Sequence, residues 1–362
     1  MFKYGLEEQI SKEDVESVLS REKFSQSDFL ALISPQANDY LEVMAQKAQS
    51  LTKRFFGQTR GIYIPLYLSN ACHNNCSYCG FSSSNIIRRK TLKLEEIKNE
   101  LLSIYKRGYR NILLVSGELK DFNNIDYLNR ATKLAVEVGF SSVAVEFGAL
   151  ESDQARLLQE SGADQFVLYQ ETYHPPTYKD VHISGQKSNL NYRIEGVERS
   201  IEAGFKKVTL GFLGGLFDYR FEALTLFSHL RYLKSNFWNI SFSISIPRLQ
   251  NAFGLEEIKY PLEDRDFVRV LLAFRLAFPQ MPILLSTRES ETIRGHLLNL
   301  CATNISAESK TSPGDNNLEQ FSVTDNRSLE EIIISLKEMG LNPCFKDWDE
   351  LLPRLHNYHQ NR

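Results

Sequence analysis

From residue 61 onward, short apolar runs alternate with amphipathic stretches of helical period. The runs read GIYIPLYLS (61–69), NILLVSGE (111–118), SVAVEFGA (142–149), QFVLYQET (165–172), KVTLGFLGG (207–215), SFSISIPRL (241–249), ILLSTRES (283–290) and, weakest, NISAESK (304–310). Between them lie stretches with apolar residues three and four apart, among them LEEIKNELLSIYKRG (94–108), YLNRATKLAVEVG (127–139), NYRIEGVERSIEAG (191–204) and DRDFVRVLLAFRLAF (264–278). Gly108, Gly139, Gly162 and Gly204 stand where a helix must give way to the next strand. Strands apolar on both faces and joined by helices pair in parallel. Eight such units predict an α/β fold, a TIM-type (β/α)8 barrel rather than an open doubly wound sheet.

The flanks read as helix. DYLEVMAQKAQSLTKRFFG (39–57) places Leu41, Met44, Ala48, Leu51 and Phe55 at helical spacing and stops at Gly57. After the barrel come a polar loop, TSPGDNNLEQ (311–320), and a helix, RSLEEIIISLKEMG (327–340), with Ser328 and Glu331 spaced as a capping box. The expected organisation is an N-terminal helical extension (1–60), the barrel (61–310) and a C-terminal cap of loop and helix closing it (311–362).

Composition narrows the function classes. The 362 residues are 42% hydrophobic and 24% charged, an ordinary globular balance, and a net charge of −3 leaves no electrostatic footprint for nucleic acid. The start, MFKYGLEEQISKEDVESVL, lacks the apolar centre of a signal peptide. No apolar run approaches the roughly 20 residues of a membrane span, so a cytoplasmic protein without a membrane partner is expected. Of five cysteines, Cys72, Cys76 and Cys79 crowd into SNACHNNCSYCGF (69–81). That is a poor disulfide framework and a good metal pattern.

Thiolates bind soft metals. A structural zinc site would want a fourth ligand, and Cys301 and Cys344 lie isolated, far along the chain. Three cysteines at CxxxCxxC spacing suit a 4Fe–4S cluster with one iron left open; zinc and three incidental buried thiols are the alternatives. The strand ends carry further chemistry: Glu118, Glu146, Gln170, Glu171, Arg248, Arg288 and Ser306. Barrel enzymes work at that end. Acids and arginines there are costly as core decoration but sensible around a ligand bearing both an amine and a carboxylate.

CxxxCxxC after a first barrel strand resembles the radical S-adenosylmethionine (SAM) enzymes. Within them, PLYLSNACHNNCSYCGFSSSNIIRRKTL (65–92), VSGE (115–118), YQETYH (169–174), SISIPRL (243–249), LSTRES (285–290), ISAESKTSPG (305–314), LEQFSVTDNRS (318–328) and KDWD (346–349) are similar to the 2-iminoacetate synthases, tyrosine lyases of thiamine biosynthesis. The resemblance implies that Cys72, Cys76 and Cys79 hold the 4Fe–4S cluster and that its open iron chelates SAM. It implies a 5′-deoxyadenosyl radical that takes a hydrogen from the amino group of L-tyrosine. Cleavage of Cα–Cβ then yields 2-iminoacetate and p-cresol, with the imine passed to thiazole synthase. A one-electron donor is required.

The same resemblance assigns residues. Glu118, where the superfamily carries GGE, would accept from the SAM ammonium; otherwise it is an acid at a helix N-terminus. Arg193 sits as does the biotin synthase arginine that contacts the SAM carboxylate; otherwise it is solvated. Glu171 and Gln170 would hold the ribose hydroxyls, and Glu146 would face SAM or substrate. Arg288 and Ser306 would pin the amino-acid carboxylate, by likeness to tryptophan lyase. Arg248 is the second candidate clamp, or simply the partner of a barrel acid. Tyr67 and Tyr78 pack near ligand or belong to the core, and Cys301 and Cys344 read as inert. Two places depart from the family pattern: Glu308 stands where glycine is expected, and PGDNN (313–317) lacks the usual glycine–tyrosine pair.

Two rival functions differ in testable ways. The tyrosine lyase of hydrogenase maturation adds a C-terminal CxxC for a second cluster, whereas Cys344 stands alone in NPCFKDWDELLPRLHNYHQNR. A non-catalytic iron–sulfur scaffold protein would show a fourth protein ligand and no SAM pocket.

Overall fold

The computed structural model describes residues 10–119, 123–255, 257–314 and 319–345. Eight strands form the barrel: β1 Thr59–Ser69, β2 Asn111–Ser116, β3 Ser142–Glu146, β4 Gln165–Glu171, β5 Lys207–Phe212, β6 Ser241–Ser245, β7 Ile283–Leu285 and β8 Asn304–Ser306. Neighbours pair in parallel in chain order, and β8 returns to β1 with Gly61 opposite Asn304 and Tyr63 opposite Ser306, which closes the sheet. Gly61 leaves room there for the Asn304 side chain, whose amide nitrogen lies 2.3 Å from where a Cβ would stand. The eight-unit prediction therefore holds, including the weakest run.

The later strands are shorter than the apolar runs suggest. β7 ends at Leu285 because the Thr287 carbonyl accepts from the Thr324 and Asp325 amides instead of continuing a ladder. Arg288 is thereby left on a loop at the barrel mouth. Helices Leu94–Lys106, Asn123–Val138, Ser152–Glu160, Leu190–Glu202, Tyr219–Asn236, Asp264–Ala277 and Glu291–Leu300 fill the intervals. The four anticipated glycines follow their helices with φ between 101° and 116°, a region in which side chains are strained.

Three helices, Lys12–Leu19, Gln26–Ile33 and Leu41–Phe56, precede the barrel. Ser11 with Asp14, and Ser25 with Asp28, form capping boxes. Phe29 stacks on Phe227 at 4.4 Å and tilts against Phe274, so these helices share one continuous core with the barrel. At the chain's other end, helix Leu329–Glu338 starts on the Ser328–Glu331 capping box, and β9 (Asn342–Cys344) pairs with the first residues of β1. The KDWD stretch lies outside the described residues, as does most of PGDNN. Among the described residues, no helix is long and apolar enough to cross a membrane.

Candidate active site

Ser69 ends β1, and the next residue, fully buried Asn70, turns the chain into the cysteine loop. Its side chain donates to the Arg88 carbonyl and accepts from the Lys90 amide. Arg89 stitches the loop shut by donating to the carbonyls of Asn70, Phe81, Ser82 and Asn85 at 2.6–3.0 Å. Nothing in the sequence pattern separates this buttress from an ordinary surface arginine. A short antiparallel ribbon, Asn75–Cys76 with His182–Ser184, ties the loop to the far side of the barrel mouth.

The three thiols fit a cubane cluster. Burial, with the charges of Glu118 and Cys79 added, pushes Cys72 up to about 11, and burial pushes Cys76 higher still, so they need a cation to stay ionised. Gly117 lets the strand end close on them: a Cβ would sit 2.3 Å from the Ala71 carbonyl and 3.1 Å from Cys72 Cβ. Among the described residues no three His, Cys, Asp or Glu side chains converge as ligands of one ion. In a 4Fe–4S cluster each cysteine binds a different iron.

Beside the loop runs a chain of buried charges. Glu118 accepts from Asn74 Nδ2 at 2.7 Å and from Arg193 Nη1 at 3.1 Å. Arg193 reaches on to Glu171 at 3.5 Å and anchors itself on the Tyr169 carbonyl through Nε. Lys187 then meets Glu171 at 2.6 Å, while its backbone amide donates to Asn74 Oδ1. Gly148, at φ 85°, has Glu118 Cδ 2.4 Å from where a Cβ would lie, so only glycine fits under that carboxylate. Glu118, Arg193 and Glu171 are thus brought together at one side of the cysteine loop. Lys187 was missed; its one signal is a lysine in GQKSN, between the fourth strand and its helix.

Glu171 and Glu146 sit at neighbouring strand ends but titrate apart. Burial works to raise Glu171, yet Lys187 and Arg193 outweigh it and hold the carboxyl low. Burial, with Glu171's charge added, pushes Glu146 up to about 7. Gln170 lies on the other face of β4: Tyr169 and Glu171 line the cavity, whereas the Gln170 amide nitrogen is buried elsewhere, without a partner among the described residues.

The cavity at this end, about 110 Å³, is lined by Tyr63, Tyr67, Glu146, Glu171, Arg288 and Phe321, with Cys79 on its wall. Among the described residues Arg288 has no carboxylate within ion-pair distance; its guanidinium rests 3.3 Å from the Phe321 ring centre and donates to the Arg248 carbonyl at 3.4 Å. Ser306 and Ser309 also line it; among the described residues the buried Ser309 hydroxyl has no hydrogen-bond partner, and the Ser306 hydroxyl interacts only with the Tyr63 phenol. Arg248, in contrast, is engaged: it pairs with buried Glu289, lies 2.7 Å from Asp264 and stacks on Phe267. Tyr67 and Tyr78 both line the cavity, and Cys301 is fully buried. Glu308 holds a left-handed φ of 48°, compensated by Arg107 at 2.5 Å and the Tyr109 hydroxyl at 3.0 Å. A roomier cavity, about 490 Å³, opens at the strands' N-terminal ends and carries none of the three clustered cysteines.

Residues 66–226 match the Radical SAM superfamily, and residues 245–342 match the Biotin and Thiamin Synthesis associated domain. The 2-iminoacetate synthases of Escherichia coli (strain K12) and Salmonella typhimurium (strain LT2) are each 41% identical over 347 residues, covering 94% of this chain and 92% of theirs. The crystal structure of HydG, a maturase of the FeFe-hydrogenase, superposes with a TM-score of 0.92 at 30% identity over 96% of this chain and 80% of that one. Methylornithine synthase (PylB) shares the fold, with a TM-score of 0.74 at 21% identity. A three-cysteine loop on the mouth of a closed parallel barrel, with a buried acid–base chain beside it, is the apparatus of a radical SAM enzyme. Within that class the chain belongs to the 2-iminoacetate synthase family, whose cofactors are a 4Fe–4S cluster and SAM.

Proposed function

We propose that this protein cleaves the Cα–Cβ bond of L-tyrosine, giving 2-iminoacetate for the thiazole of thiamine and p-cresol. Family membership supports the reaction. The observation that carries the substrate class is Arg288: a partly buried cation without a carboxylate partner among the described residues, facing a cavity walled by Cys79. An unpaired buried guanidinium is costly, and an incoming carboxylate relieves that cost bidentately. Ser306 and Ser309 offer hydroxyls to the same group.

When bound, the cluster and SAM supply a hydrogen-abstracting radical. The chain's residues supply placement. Cys72, Cys76 and Cys79 hold the cluster. Glu118 takes the SAM ammonium and Arg193 its carboxylate, while Glu171 and Lys187 face the ribose. Glu146 takes the tyrosine ammonium, and Arg288 with Ser306 takes its carboxylate. Loss of a hydrogen from the amino group lets Cα–Cβ break into the imine and a 4-oxidobenzyl radical. One electron and two protons, one on the benzylic carbon and one returned to the phenolate oxygen, convert that radical anion to p-cresol. Placement inside the barrel mouth limits the access of water to the radical and to the hydrolysable imine. By resemblance, thiazole synthase receives the imine, and a separate protein donates electrons.

Anaerobic reconstitution tests the reading. Reduced protein with SAM and tyrosine should form 5′-deoxyadenosine and p-cresol together. Absence of deoxyadenosine would remove the enzyme reading; deoxyadenosine without p-cresol would leave the class and remove the substrate.

A further inference from the structure

Gln320 lies beyond the barrel strands, on a segment that crosses back over the cysteine loop. Its amide nitrogen stands 3.6 Å from Cys79 Sγ, and its amide oxygen accepts from the Tyr67 hydroxyl at 2.9 Å. The main chain fixes it on both sides. The Gly80 amide donates to the Gln320 carbonyl at 3.1 Å, and the Gln320 amide donates to the Thr311 carbonyl at 2.9 Å. Gly80 admits no side chain, because a Cβ would come within 2.6 Å and 2.8 Å of the Glu319 and Gln320 carbonyl oxygens.

Building on the cluster assignment made above, we infer that Gln320 sets the cluster's reduction potential through its hydrogen bond to Cys79, and that Tyr67 is the positioning residue that aims it. The orientation is determined at both ends. The Tyr67 hydroxyl is buried and needs an acceptor, and burial keeps it protonated and donating. That fixes the amide oxygen toward Tyr67 and the NH2 group toward sulfur; the reverse would set an oxygen against a thiolate. An N–H aimed at a ligating sulfur favours the more negative, reduced cluster and so raises its potential. Such tuning matters here, since reduction is the entry to the reaction.

The test is an EPR-monitored redox titration of the anaerobically reconstituted chain without SAM, alongside iron content. Gln320→Leu should keep wild-type iron and lower the midpoint, by roughly tenfold in the reduction equilibrium, or about 59 mV for a one-electron couple. Tyr67→Phe should shift it the same way but less, because the amide remains yet is free to turn. The double variant should fall no further than Gln320→Leu alone, since Tyr67 acts through Gln320. A normal wild-type potential unmoved in both single variants overturns the inference. So does a Tyr67→Phe shift that persists in full on the Gln320→Leu background. Should Gln320→Leu fail to retain iron, Tyr67→Phe alone decides by the same criterion. A wild type that binds no cluster would instead overturn the lyase reading, and this inference with it.

Discussion

Glu146 and Glu171 are one residue type placed in opposed surroundings, a pattern that assigns different tasks to two acids at one mouth. Glu171 is committed to cations already on the chain; Glu146 is an acid that lacks its cation. The folded state holds Glu146's proton up to about pH 7, while an unfolded chain releases it in the ordinary carboxylate range. Stability from this site is therefore lost as pH rises through that window. Glu146→Gln should raise the melting temperature of the ligand-free protein at pH 8 and leave it nearly unchanged at pH 5, as read by thermal unfolding. Arg288 gives the complementary prediction. Arg288→Leu should cost about 2–5 kcal/mol in kcat/KM for tyrosine, upward of roughly 30-fold, because it truncates one partner of a buried charge pair. SAM affinity, measured by equilibrium binding, should stay near wild type. Both residues were legible from chain position alone, as charged residues at strand ends. Arg248 read the same way, yet its partners Glu289 and Asp264 come from another loop and the start of a helix, and spacing along one strand cannot reveal them.

At the scale of the element, the end of β4 shows how a helix serves a strand. Glu171 adopts a φ of 70°, uncommon for a side-chain-bearing residue, at a register shift against β5. The chain after it is held by Glu222, fully buried on helix Tyr219–Asn236, which accepts from the Thr172 hydroxyl and, at 2.7 Å, from the Tyr173 amide. Glu222→Ala would leave both donors buried and unpaired. It should destabilise by about 2–4 kcal/mol, measured by denaturant unfolding of the apo protein. SAM affinity should fall with it, since Glu171 loses its frame. Hydrophobic period predicted this strand, but the resemblance assigns Gln170 and Glu171 the same ribose role, whereas of the two only Glu171 lines the cavity. Glu222 stayed hidden because an acid in a helix's first turn is the ordinary arrangement, favoured by the dipole whatever it touches.

For the whole molecule, the barrel was legible because local pattern dictates eight parallel units, and the capping box at Ser328 because it is local too. The crossing segment was not, since its partners lie far apart in sequence. Residues 319–325 reach Cys79 through Gln320, Arg288 through Phe321, and the ends of β7 and β8 through Thr324 and Asp325. Asp325 is the pin. It binds Arg294, whose guanidinium is fully buried and also donates to the Ser306 carbonyl, and it lies 2.6 Å from Arg327. Asp325→Ala strands the Arg294 charge inside the protein, which should cost about 3–5 kcal/mol in thermal or denaturant unfolding. Burial works to raise the Asp325 carboxyl, but Arg327 and Arg294 outweigh it and keep it depressed. Its contribution is therefore present above the ordinary carboxylate range and lost as pH falls through the depressed value, so the gap between wild type and variant should narrow in acid. Because the pin frames Ser306 and the loop bearing Arg288, the variant should also raise KM for tyrosine in the p-cresol assay. A stability loss with an unchanged KM would make the segment a brace for the barrel alone, and would separate the substrate clamp from it.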